Sequence, residues 1–285
     1  MEIKPKKTIH LCLSLMLFNI FGTIGYSQVV SSDLSFNWEA PTTTTDPWSS
    51  TVGSRDWSFN GSPTIGSVSS STSITHAWNF TSGNGSLFTS PFTGLSSGTF
   101  EFWLRPNDLI GQEVVFETGG AGRGLSLSFF TDEVTFAYKT TGVGASDPNL
   151  ILSHALTALE ISEFVQVVGV ANDAGTARLY INGQEVDNAV SPGTNWQGTN
   201  GAGLGARRDQ FGGGSTTPGA DWAAQSFGAF QGDFVIMRVY DDALTASEVL
   251  QNFNTVAVPE PRAISLLVIA LASLFCLSRK KYPNY

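Results

Sequence analysis

Between about Leu34 and Phe253, large apolar side chains recur at every second position in short runs, and Gly, Asn, Asp and Ser break those runs apart. Leu34, Phe36 and Trp38 alternate with polar residues, as do Phe100, Phe102 and Leu104, then Leu125, Leu127 and Phe129, then Val134, Phe136 and Tyr138. A period of two turns one side of an extended strand toward a core and the other toward water, so these segments belong to sheets with one buried face. Hairpin signals separate them: Gly119-Gly120 with Gly122 and Gly124, Thr131-Asp132, Asn172-Asp173-Ala174-Gly175, and Asn182-Gly183. Asn182-Gly183 suits a type I′ turn, whose two positive φ angles match the twist of the flanking strands. One helix is expected near the C-terminal end of this region. Thr245 and Glu248 form a capping box, followed by Val249, Leu250 and Phe253 as an apolar stripe. Many short strands with regular turns predict an all-β, two-sheet sandwich of jelly-roll type.

Composition excludes several alternatives. With 41% apolar and 14% charged residues in 285, the chain buries a sizeable core, and its 30 Gly and 20 Phe suit strands and turns better than long helices. Charge is uneven along the chain. Between Gln28 and Pro261, 23 Asp and Glu face 8 Arg and Lys, a balance of −15. A nucleic-acid partner needs a basic footprint, so none is expected.

The two ends read as addresses. Residues 1–27 carry Lys4, Lys6 and Lys7, an apolar run from Leu11 to Ile24, and then the small residues Gly25 and Ser27. That order is a secretory signal peptide with cleavage after Ser27. At the other end, Val258-Pro259-Glu260-Pro261 precedes an apolar stretch over 263–278 and the basic cluster Arg279, Lys280 and Lys281. A helix of that length is short for a permanent span, and the basic tail orients it so that everything before it lies outside the cytoplasm. The expected organisation is a signal peptide at 1–27, a β domain at 28–257 and a sorting segment at 258–285. Cys12 and Cys276 both lie in the end segments, so the domain is expected to hold its core without disulfides.

Pro259, Glu260 and Pro261, the short hydrophobic helix and the basic tail together resemble the PEP-CTERM sorting signal of Gram-negative bacteria. That resemblance implies recognition by an exosortase-type processing protease and a transient stay in the inner membrane. It also implies delivery to the cell envelope, cell surface or extracellular matrix, in company with exopolysaccharide and biofilm production.

A second resemblance covers the domain. Phe100-Glu101-Phe102-Trp103-Leu104-Arg105-Pro106, then Val115-Phe116-Glu117-Thr118-Gly119-Gly120, then Ala177-Arg178-Leu179-Tyr180-Ile181-Asn182-Gly183, and last Gly232-Asp233-Phe234 through Arg238-Val239-Tyr240 to Thr245 occur in the order seen in laminin G-like, concanavalin A-like jelly rolls. The stretch with Trp38, Trp48 and Trp57 is less typical of that family. Arg238 alternates with Phe234 and Ile236 and is therefore expected to point inward or to an inter-sheet edge, with Asp241 or Asp242 as its carboxylate. The family resemblance implies calcium at the sandwich rim, and Asp132, Asp173, Asp221 and Asp233, at turns or strand ends, are the candidate ligands.

Catalytic patterns are weak. Glu185-x-Asp187 repeats the start of the laminarinase-type Glu-x-Asp-x-x-Glu pattern, but Val190 stands where the acid belongs. His76 and His154 have no nucleophile elbow near them, and Gly120-Ala121-Gly122-Arg123-Gly124 joins two strands without opening a helix. A non-enzymatic chain is expected. The Gly-rich segment from Ser191 to Phe230 carries Trp196, Arg207, Arg208 and Trp222, and aromatic faces with flanking polar groups in such a loop form the expected glycan-contact surface. The expected function is therefore secreted, non-catalytic binding or adhesion through cell-surface glycans or extracellular polysaccharide. A purely structural matrix component and a divergent carbohydrate-active enzyme are the alternatives.

Overall fold

The computed structural model describes residues 28–257 except 82–84, 89–91, 93–94, 96, 108–110, 121–122, 131, 140–149, 173–174, 191–195, 198–200 and 207–227. The expected signal peptide and sorting segment, with Pro259, Glu260, Pro261, Arg279, Lys280 and Lys281, lie outside the described residues, as do Asp173, Arg207, Arg208, Asp221 and Trp222.

The alternating runs become strands of two packed sheets. In chain order the strands are β1 (Leu34–Glu39), β2 (Trp48–Ser49), β3 (Asp56–Asn60), β4 (Thr64–Ser67), β5 (His76–Phe80), β6 (Gly85–Phe88), β7 (Gly98–Pro106), β8 (Gln112–Gly120) and β9 (Arg123–Phe130). They continue as β10 (Glu133–Lys139), β11 (Leu150–Ala155), β12 (Val165–Ala171), β13 (Thr176–Ile181), β14 (Gln184–Val190), β15 (Ala202–Leu204), β16 (Gly228–Ala229) and β17 (Gly232–Tyr240). Two helices accompany them among the described residues, α1 (Ala158–Ser162) and α2 (Ala246–Ala257). One sheet runs β14-β13-β12-β7-β17-β5-β4, with β1 also on β17; the other runs β11-β10-β9-β8-β15-β6-β3-β2, with β16 on β8. This is an all-β jelly-roll sandwich.

The inner faces carry the aromatic positions of the alternating runs. Phe100, Phe102 and Leu104 of β7 meet Phe116, Leu125, Leu127, Phe136 and Tyr138 of the second sheet in one core. Each buried Phe contributes roughly 1.5–3 kcal/mol of transfer free energy. Trp38, Trp48 and Trp57, from the less typical N-terminal stretch, join that core and are buried. The Asn182-Gly183 turn links β13 to β14 as a two-residue hairpin, with φ of 50° and 77°.

α2 crosses the outer face of the first sheet. Thr245 and Glu248 make the expected capping box: Glu248 Oε2 accepts from the Thr245 N–H at 2.8 Å and from its hydroxyl at 2.7 Å. Its buried positions are Val249, Asn252 and Val256, one turn apart, and Phe253 stacks on Trp103 at 5.7 Å. Leu250, expected in the stripe, is 38% exposed. Gly183 is needed where the helix passes, because a Cβ there would lie 3.0 Å from Leu250 Cδ1 and 3.1 Å from Phe253 Cβ.

Candidate functional site

The outer face of the first sheet holds most of the organised polar chemistry. β7 and β17 pair antiparallel, with a register shift between Phe234 and Ile236. That shift inserts one residue, so Asp233 and Arg238, five positions apart, come to the same face, opposite Arg105 and Glu101 of β7. This corrects the expected inward orientation of Arg238. Strict alternation fails at the bulge; Arg238 points outward beneath α2, and its partners are Glu101 and Glu39, not Asp241 or Asp242.

Glu101 is fully buried and surrounded by donors. Its Oε1 accepts from Trp103 Nε1 at 3.0 Å, Gln166 Nε2 at 2.9 Å and Arg238 Nη1 at 3.1 Å. Its Oε2 accepts from Asn252 Nδ2 at 3.0 Å and the Tyr240 hydroxyl at 3.4 Å. Burial alone would lower the Arg238 guanidinium, but the charges of Glu101 and Glu39 beside it outweigh burial and hold the group above its ordinary range. Burial, reinforced by the Glu101 charge, raises the Tyr240 phenol and keeps it protonated. Asn252 also accepts the Val30 N–H at 2.8 Å, tying the start of the domain to its last helix.

Beside this network the sheet opens. β1 and β5 lie end to end along one edge of β17: Glu39 sits opposite Ile236, and Trp78 opposite Phe234. Where the edge passes from one strand to the other, a cleft of about 340 Å³ forms. It is lined by the apolar side chains of Val29, Ile74, Val235, Ile236 and Val256 together with Glu39, His76, Arg238 and the threonines Thr42, Thr75 and Thr255. Glu39 Oε1 receives Arg238 Nη2 and Asn37 Nδ2, both at 3.3 Å, while its side chain stays 52% exposed. The volume lies near the lower end for small-molecule sites, about 300–1,000 Å³.

A second polar group lies on the outer face of the other sheet, where Glu117, Ser126, Ser128 and Lys139 are all buried and the two serine hydroxyls have no hydrogen-bond partner among the described residues. It is closed to solvent, whereas the cleft is open.

Among the site residues expected from sequence, Trp196 is corrected. It is fully buried, packs edge-on against Phe100 at 5.7 Å, and sits so close over Gly98 that a Cβ there would lie 2.9 Å from its ring. An indole used up in the core offers no face to a sugar. Asp233 is corrected as a metal ligand: its Oδ2 accepts from Arg105 Nη2 at 2.7 Å and Nε at 3.1 Å, and its Oδ1 accepts from Asn79. Asp132 is exposed in the β9–β10 turn, in the other sheet. Among the described residues no three His, Cys, Asp or Glu side chains gather as a metal site, and Asp173 and Asp221 lie outside the described residues. Glu185 pairs with Arg178 at 3.2 Å and Asp187 accepts the Ser153 N–H at 2.9 Å, structural uses for both carboxylates of the partial glucanase pattern. The cleft itself went unrecognised in the sequence. Glu39 and His76 are 37 positions apart, and only the meeting of β1 and β5 along β17 brings them together.

The two sheets, their order and the helix packed on the outer face define a concanavalin A-like sandwich. The chain belongs to the Laminin_G_3 family of the concanavalin A-like lectin/glucanases superfamily, whose model matches residues 79–250. Similar solved structures include the binding domain of botulinum neurotoxin DC in complex with rat synaptotagmin II (TM-score 0.57, 10% identity, 78% of this chain and 51% of that one). The same toxin's binding domain in complex with SialylT is similar too (TM-score 0.56, 12% identity, 78% and 51%). A third is from botulinum neurotoxin type C, whose cell entry depends on interaction with two ganglioside molecules (TM-score 0.54, 11% identity, 78% and 51%). At such identity the likeness is one of fold, and the chain spans about half the length of these structures. No curated protein sequence matches the chain significantly.

Proposed function

We propose that this chain is a non-catalytic carbohydrate-binding protein, exported by its signal peptide and delivered to the cell envelope or matrix through its PEP-CTERM-type tail. The cleft at the β1–β5 junction is its contact with one or two sugar units. The carrying observation is the composition of that cleft, which combines apolar side chains for the C–H face of a pyranose ring with carboxylate, imidazole and hydroxyl groups for its hydroxyls. Membership of a superfamily of lectins and glucanases supports the reading, as does the toxin relative that interacts with gangliosides. The structural pairing of Glu185 and Asp187 favours binding over hydrolysis.

The test is binding of the exported protein to an array of polysaccharides, with Thr42→Trp as the cleft-blocking variant, since Thr42 is exposed and lines the cleft. Binding that Thr42→Trp abolishes supports the reading; binding that it leaves intact places the contact elsewhere. Failure to bind any polysaccharide favours a structural matrix component. The processing proposal has its own readout: replacing Pro259, Glu260 and Pro261 with alanine leaves a full-length membrane-bound precursor, and an exported protein still ending at Tyr285 would remove the exosortase from the account. Calcium remains proposed only through the family, and a melting temperature unchanged between EDTA and excess calcium would withdraw it.

A further inference from the structure

We infer that the cleft selects a sugar unit bearing a free ammonium group, an N-deacetylated amino sugar, and that Glu39 is its counter-charge; this rests on the glycan-binding reading of the same cleft. The argument begins with the charges. Arg238 is 2% exposed, and its guanidinium is already committed: Nη1 to Glu101, Nε to Asn37 Oδ1 at 3.1 Å and Nη2 to Glu39. Glu101 is fully buried and receives five donors, so its charge is matched inside the protein. Two carboxylates thus stand against one guanidinium, and the surplus negative charge sits on Glu39, whose side chain alone of the three reaches water.

Geometry narrows the ligand further. Arg238 and Asn37 both approach Oε1 of Glu39, and among the described residues Oε2 receives no donor, in a side chain that is 52% exposed. A hard divalent cation asks for about six to eight oxygen ligands, and one half-exposed carboxylate does not supply them. An anionic sugar would meet the surplus negative charge and be repelled. An ammonium group needs one carboxylate and a few hydroxyl acceptors, and Thr42, Thr75 and Thr255 line the same cleft. The apolar side chains of Val29, Ile74 and Val256 in the lining take the ring carbons of such a unit, which a simple inorganic cation lacks.

The experiment titrates the full-length protein with glucosamine, N-acetylglucosamine and glucose, by calorimetry at near-neutral pH. Glucosamine is expected to bind at least about tenfold more tightly than the other two, the scale of one charge-assisted hydrogen bond in a partly desolvated site. Glu39→Gln should erase that preference, and added salt should weaken glucosamine alone. The discrimination by the unaltered protein does not depend on any variant folding. Equal affinity for the three sugars, or a preference that survives in Glu39→Gln, overturns the inference while leaving glycan binding in place. No binding of any of them, in a protein that also binds no polysaccharide, removes both.

Discussion

The same two strands carry two cross-strand ion pairs, one near each end, and the pairs are built in opposite ways. At one end Glu101 of β7 faces Arg238 of β17 under α2, with side chains 0% and 2% exposed; at the other Arg105 of β7 faces Asp233 of β17, with 25% and 12%. The first is saturated with side-chain hydrogen bonds from β7, β12, β17 and α2. The second leans on solvent, on Asn79, on the Ser69 carbonyl and on the ring of Phe164, which lies 4.6 Å below the guanidinium. A buried pair gains little net energy over apolar packing but is costly to break, because the survivor is left charged in a dry site. The difference suggests that the Glu101 pair is a specificity device, placing the last helix and the start of the domain, and that the Arg105 pair is an ordinary edge clamp.

Breaking each pair separates these roles. Glu101→Ala should destabilise the protein by about 3–5 kcal/mol in urea unfolding, since Arg238 loses its buried counter-charge and Trp103, Gln166 and Asn252 lose an acceptor. A cost near that of an exposed pair would end the distinction. Asn252→Leu should cost roughly 1–3 kcal/mol through the unpaired Val30 N–H and the loss of one of the two donors to Glu101 Oε2. It should also speed hydrogen exchange at Val30 and along α2 before the rest of the sheet. Uniform exchange would show that the helix is held by its apolar contacts alone.

Asp233→Asn should cost only about 1 kcal/mol, and that cost should shrink in high salt, as expected of a partly exposed pair. Salt-independence would place it in the same class as Glu101. The last effect is confined to alkaline pH. Burial, helped by the neighbouring charge of Glu185 and opposed by Arg178, raises the Tyr180 phenol to about 12. A phenol raised above its unfolded value of about 10 adds stability that is whole below that pH and fades as pH climbs toward 12. Tyr180→Phe should flatten that stretch of the stability curve, measured by urea midpoints. A curve of unchanged steepness would mean that the buried Arg238–Tyr240 network titrates instead.

Phe100, Phe102 and Leu104, and likewise Leu125, Leu127 and Phe129, declared their core side because strand alternation is local and survives any topology. Thr245 with Glu248, and Asn182 with Gly183, were equally readable, since caps and tight turns are decided within four residues. β15 was not: three residues, Ala202 to Leu204, carry no period, and they become a strand only by filling the place between β6 and β8. Trp196 misled for a related reason. A Gly-rich loop says nothing about whether its indole turns outward or into the space above Gly98.

The sequence by itself determined the sheet class, the inward aromatic face, the turn chemistry and the acid excess of the domain, all of which depend on neighbours along the chain. Only the tertiary structure decided which carboxylate serves Arg238, because one extra residue between Phe234 and Ile236 reverses the face that alternation assigns. It alone decided that Glu39 and His76 share a cleft, because β1 and β5 take turns along the same edge of β17, and a shared hydrogen-bonding edge is a contact between distant segments that leaves no mark in either one.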